Sequence, residues 1–175
     1  GLSQEVPGFK GKKENLALYP QLNFSPTNEA NLWALMIILL KLPNDKIPHF
    51  MRMWKNSNAM ERQVADIVAF FDLISSHAPN NYDLYKAGLE TIVSTIDLAH
   101  ILGQPVNGSA LVDSYEALPI KNNRDLVIDG HFLLKNGIPA GPRVGLLLEE
   151  IKKAVLEGVI SNNKAAITEF ISLNH

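Results

Sequence analysis

Apolar residues recur at three- and four-residue spacing along most of the chain and nowhere alternate over a useful length, so the pattern predicts helices and no sheet. Residues 12–22 place Leu16, Tyr19 and Leu22 at helical spacing. Pro26, Thr27 and Asn28 then open a helix over 29–41 with Thr27 or Asn28 as its N-cap, because a short polar side chain there accepts a hydrogen bond from an N–H that the helix leaves unpaired. That helix is apolar almost all round, which assigns it to the buried centre of the first half. A turn at 43–45 leads to a short helix over 47–54. A longer helix over 59–74, capped by Asn58, carries Val64, Ile67, Val68, Phe71 and Ile74 on one face. Helices over 83–88, 89–102 and 109–118 follow, divided by Pro, Asn and Gly.

The last third opens on Pro119, Ile120, Lys121, Asn122 and Asn123, an extended joint, and the chain divides there into 1–118 and 119–175. Asp129 is placed to cap a helix over 130–135, and longer helices are expected over 142–156 and 163–173. Gly137, Ile138, Pro139, Ala140 and Gly141 break the chain between the first two. Pro142 stands at a first helical position, where its missing N–H costs little. Gly137 and Gly141 permit a tight reversal, and Gly145 is expected to let another backbone come close. Val144, Leu147, Leu148, Ile151, Val155 and Leu156 form a core stripe whose burial contributes on the order of 10 kcal/mol before conformational entropy is subtracted. Such a glycine-rich hairpin is a scaffold that can also offer free backbone N–H groups to a phosphate.

Composition changes this picture little: 175 residues, 46% hydrophobic and 19% charged, suffice for a sizeable core. The lack of cysteine excludes disulfides, thiolate zinc sites and a cysteine nucleophile. The longest apolar run, 32–40, is too short to span a bilayer, and the start has no signal-like segment, so the reading is cytoplasmic with no membrane partner. Because the first residue is glycine, the chain is expected to be a piece of a longer one.

Charge is uneven. Residues 1–62 carry eight basic against five acidic residues, 63–120 one against seven, and 121–175 seven against six. A polyanion should avoid the middle.

The search for reaction chemistry is mostly negative. Glycines 137–145 follow a helix rather than a strand, which discounts a dinucleotide or triphosphate loop. The five histidines are scattered. Asp97 and His100 share a helix face but lack a visible third ligand. Glu149 and Glu150 diverge by about 100° and read as solvated acids. Trp33, Trp54, Phe70 and Phe71 could stack on bases, yet their apolar helices favour core packing. Arg52 and Lys55 suit a helix C-terminus without any partner.

Several stations along the chain nevertheless carry a resemblance. Leu126, Ile128, Asp129 and Gly130, then Gly141, Pro142, Val144 and Gly145, then Val155, Gly158, Asn162 and Asn163 resemble the C-terminal region of bacterial class II CCA-adding tRNA nucleotidyltransferases. Arg52, Trp54, Lys55 and Asn58 match that family's Leu-Arg-x-Trp-Lys-x-x-Asn segment, with Met51 where the family has leucine. Leu84, Tyr85, Ala87, Gly88, Leu89 and Glu90, and Leu118 to Lys121, resemble further stations of its body, and the likeness runs from about residue 6 to 170. The resemblance implies an all-α, elongated helical array, the end of the neck and the body, followed by a small helical tail with the glycine-rich hairpin. The family's G-S-x-x-D, D-x-D and E-D-x-x-R motifs, which belong to head and neck, are absent from this sequence; Arg124 and Asp125 resemble another head motif only superficially. No catalytic, cofactor or metal residue is therefore assigned here, and Mg2+ with CTP and ATP is expected only for the head of the parent enzyme. What remains is expected to hold tRNA at its elbow and acceptor arm by backbone and shape, not to bind DNA. Gly141, Arg143 and the amides opening the 142–156 helix are the candidate phosphate contacts, with Lys121, Lys152, Lys153 and Lys164 nearby. Lys152 and Lys153 point about 100° apart, so at most one should share that face. The alternatives are a helical interaction or dimerisation module and, more weakly, a helix-hairpin-helix DNA binder.

Overall fold

Asn28 starts the first helix seen: its extended backbone turns the side chain back, and Oδ1 accepts from the Asn31 N–H at 2.8 Å. The computed structural model describes residues 28–174. The expected helix over 12–22 lies outside them. Among the described residues there are eight α-helices and no strand: α1 (Glu29–Leu40), α2 (Ile47–Met53), α3 (Asn58–Ser76), α4 (Asn81–Ile101), α5 (Gly108–Glu116), α6 (Gly130–Lys135), α7 (Pro142–Leu156) and α8 (Lys164–Asn174), with a 3₁₀ turn at Asn44–Lys46.

The chain forms two compact units: residues 28–78 with 89–112, and 79–88 with 113–174. One crossing falls inside α4 at Gly88, whose φ of 73° and ψ of 160° interrupt the helix where a break was expected.

In the first unit, Leu35, Ile37 and Leu40 of α1 pack into one core with Ile47, Phe50 and Met51 of α2, Val64, Ile67 and Phe71 of α3, and Leu98 of α4. Here α1 is the buried centre that its all-round hydrophobicity predicts. The cap of α3 is Ser57, not Asn58: the Ser57 hydroxyl accepts from the Met60 N–H, and Asn58 is already helical. Lys41 (φ 49°) caps α1 and Lys55 (φ 57°) follows Trp54, the cap of α2; both take a left-handed conformation usually taken by glycine. The following residue in each case donates back to the last turn, Leu42 to Ile37 at 3.1 Å and Asn56 to Met51 at 3.2 Å.

In the second unit the α7 stripe is buried through Leu147, Ile151, Val155 and Leu156, while Val144 and Leu148 are half-buried. The hairpin closes as its sequence predicts. Gly137 takes φ 86°, and the Gly137 and Ile138 N–H groups bond the Leu134 and Leu133 carbonyls. Gly145 differs from expectation, because a Cβ there would meet nothing within 4 Å. The close approach lies instead at Gly130, where a Cβ would sit 3.3 Å from Val144 Cγ1. Asn163, expected as the first residue of the last helix, is its cap and accepts from the Ala166 N–H at 2.9 Å.

Candidate nucleic-acid interface

All six candidate contacts lie in the second unit, and the fold sorts them into distinct environments. Gly141, exposed with φ 142°, precedes α7 and can supply no side-chain cap; Pro142 has no N–H, and Val144 donates to the Gly141 carbonyl at 3.1 Å. Arg143 beside it is exposed. Lys152 and Lys153 lie some ten residues on, about 15 Å along the same helix axis at 1.5 Å per residue, so the six do not converge on one point. Lys164 opens α8 and is exposed.

Lys121 is engaged: its ammonium group pairs with Glu116 and lies 5.8 Å from the Tyr115 ring centroid. Its backbone N–H donates to Asp125 Oδ2 at 2.8 Å. That bond, ahead of those from Asn122, holds the Asp125 carboxyl below its ordinary range, with slight burial opposing. Asn162 ties down the same stretch, donating to the Asp125 carbonyl at 2.8 Å and accepting from the Val127 N–H at 3.1 Å.

Adjacent lysines of α7 part company. Lys152 is only 6% exposed, pairs with Glu149 and has its ammonium group 5.5 Å from the Tyr85 ring centroid. Lys153 is exposed and stands 4.8 Å from the Tyr82 centroid. Of the two, Lys153 therefore offers its charge to the surface and Lys152 spends its own inside.

Glu149 is not a merely solvated acid, since it receives Lys152 on Oε1 and the Tyr82 hydroxyl on Oε2 at 3.1 Å. The Lys152 bond is the chief reason its carboxyl lies below the usual range, and Lys86 adds to the effect. The Tyr82 hydroxyl is pushed up, first by burial and then by Glu149.

Tyr82, Tyr85 and Lys86 were missed from sequence. Their spacing of three and four residues was a legible signal, placing them on one face of α4, and Lys86 lies 5.8 Å from the Tyr82 centroid. Tyr85 is itself fixed by donating to Asn123 Oδ1 at 2.9 Å.

The aromatic residues of the first unit divide as well. Phe70 and Phe71 are buried, whereas Trp54 is 38% exposed and clusters with Trp33 and Phe50 at centroid distances of 5.8 and 6.4 Å. Arg52 is accounted for locally, by the Pro48 carbonyl at 3.0 Å and Glu61 at 3.8 Å. Among the described residues no three metal-ligating side chains come together. Nor is any described helix long and apolar enough to cross a membrane.

Among the described residues the fold is helical throughout, and α4 and α7 together carry Tyr82, Tyr85, Lys86, Lys152 and Lys153 in one polar cluster. Residues 24–171 match the family described as tRNA nucleotidyltransferase domain 2, and the chain belongs to that family. It is 98% identical over 175 residues to the CCA-adding enzyme of Lactobacillus johnsonii (strain CNCM I-12250 / La1 / NCC 533), covering all of this chain and 44% of that one. The CCA-adding enzyme of Lactobacillus helveticus (strain DPC 4571) is 56% identical over 170 residues, 97% of this chain and 43% of that protein. The crystal structure of the Bacillus stearothermophilus CCA-adding enzyme in complex with CTP superposes with a TM-score of 0.86 at 27% identity, over 98% of this chain and 46% of that one. The chain thus spans less than half the length of these relatives.

Proposed function

We propose that this chain is the tRNA-holding part, body and tail, of a class II CCA-adding enzyme, and that it grips the elbow and acceptor arm by backbone and shape. Addition of CMP and AMP, with Mg2+, CTP and ATP, belongs in this reading to a head that this chain does not include. The observation that carries the reading is near-identity along the whole chain, 98% over 175 residues, to a relative named as a CCA-adding enzyme. The geometry adds support: Arg143 and Lys153 are exposed on one helix, and an enzyme that extends many tRNAs without a template needs phosphate contacts more than base readout.

Two measurements test it. With tRNA lacking its CCA end, the 175-residue chain incorporates no CMP or AMP, whereas turnover by this chain would refute the assignment of the chemistry to the head. In filter binding, Arg143→Glu lowers tRNA affinity about tenfold or more, because it replaces a phosphate contact by a repulsion. Unchanged affinity would place the contact surface elsewhere.

A further inference from the structure

From residue 63 to 120 the chain has one basic residue, Lys86, against seven acidic ones. A lone cation in so acidic a stretch would ordinarily pair with a carboxylate. Among the described residues, however, neither Lys86 nor Lys153 makes an ion pair, and both are exposed. Instead their ammonium groups stand 5.8 and 4.8 Å from the centroid of one ring, that of Tyr82. The nearby carboxylate, Glu149, is already occupied by buried Lys152 and by the Tyr82 hydroxyl. Glu149 thus answers to Lys152 directly and to Lys86 at longer range, while the ammonium groups of Lys86 and Lys153 both face solvent beside the Tyr82 ring.

Bringing two like charges to one ring is unfavourable without a counter-charge, and an anion with its charge spread over several oxygens can meet both at once. We propose that Lys86 and Lys153 form a two-lysine clamp for a backbone phosphate of RNA, with Tyr82 as the platform that sets their spacing. Lys152 is a positioning residue in this arrangement: it anchors Glu149, which holds the Tyr82 hydroxyl and so orients the ring. The clamp rests on the tRNA-holding reading and adds to it a pair of contact residues, one of which, Lys86, the acidic charge of its surroundings concealed.

The test is tRNA affinity of the 175-residue chain over a series of salt concentrations, for the parent chain, Lys86→Ala, Lys153→Ala and the double variant. Each phosphate neutralised releases counterions, so losing the one clamped phosphate in the double variant makes the slope of log affinity against log salt shallower by about 0.7 to 0.9, and each single change by no more than that. The loss is the same for tRNAs of different sequence. Lys46→Ala removes an exposed cation already paired with Asp45 and leaves the slope unchanged. Helical content by circular dichroism and the melting temperature are followed alongside, so that a folding defect is separated from a lost contact; with all variants folded, a double variant that keeps the parent slope overturns the clamp while leaving tRNA binding intact. A parent chain that binds no tRNA overturns the reading beneath it as well.

Discussion

Gly137 and Gly145 lie eight residues apart and answer opposite demands. At Gly137 the backbone is left-handed, φ 86°, and closes α6, so a Cβ there is strained. At Gly145 the backbone is inside α7 and the space beside it is open, so the glycine only weakens the helix. Gly137→Ala should therefore destabilise by about 1–2 kcal/mol, and Gly145→Ala should stabilise by about 0.5–1 kcal/mol. Urea unfolding of the two variants reads both, and equal signs would contradict the account. The turn at Gly137 was legible because the left-handed demand is local. The open face of Gly145 was not, because what a missing side chain makes room for depends on neighbours distant in sequence. Lys152 differs from Lys153 by helical phase: it lies three and four residues from Leu148, Val155 and Leu156 and so shares the apolar face, where Tyr85 and Glu149 receive its charge.

At the scale of elements, periodicity and caps carried most of the fold. The breaks at Gly88 and Gly137 and the caps at Asn28 and Asp129 are where short-range chemistry puts them, Asp129 accepting from the Phe132 N–H at 2.9 Å. The start of α3 was read one residue late, because Ser57 and Asn58 are both good caps and only the backbone decides between them. Ser57 is extended there, with ψ 156°, and its hydroxyl takes the Met60 N–H. Ser57→Ala should accordingly cost about 1 kcal/mol, against little for Asn58→Ala. Ile151, fully buried on the α7 stripe, sets the upper end of the scale, and Ile151→Ala should cost about 2–5 kcal/mol. Thermal melts of the three variants test the ranking. A cap effect at Asn58 larger than at Ser57 would contradict it.

For the whole molecule, charge and fold together argue for a holding surface. The acidic stretch from 63 to 120 is a poor place for a polyanion, yet its one lysine meets the same Tyr82 ring as Lys153 of α7, and Arg143 opens the same helix. Arg143 and Lys153 stand exposed; the spacing of Tyr82, Tyr85 and Lys86 was legible as one helix face, but that this face shares a polar cluster with α7 was not, because it depends on residues more than sixty positions apart. Belonging to the tRNA nucleotidyltransferase domain 2 family gives that surface its proposed partner.

The central claim, that these helices recognise tRNA by its outline and phosphates, is tested most directly by measuring the affinity of the 175-residue chain for tRNA lacking CCA and for duplex DNA of matched charge across a salt series. The account predicts tighter binding to tRNA at every salt concentration, weakening steeply as salt rises. Equal affinity for the DNA, or no measurable binding to tRNA at low salt, would contradict it.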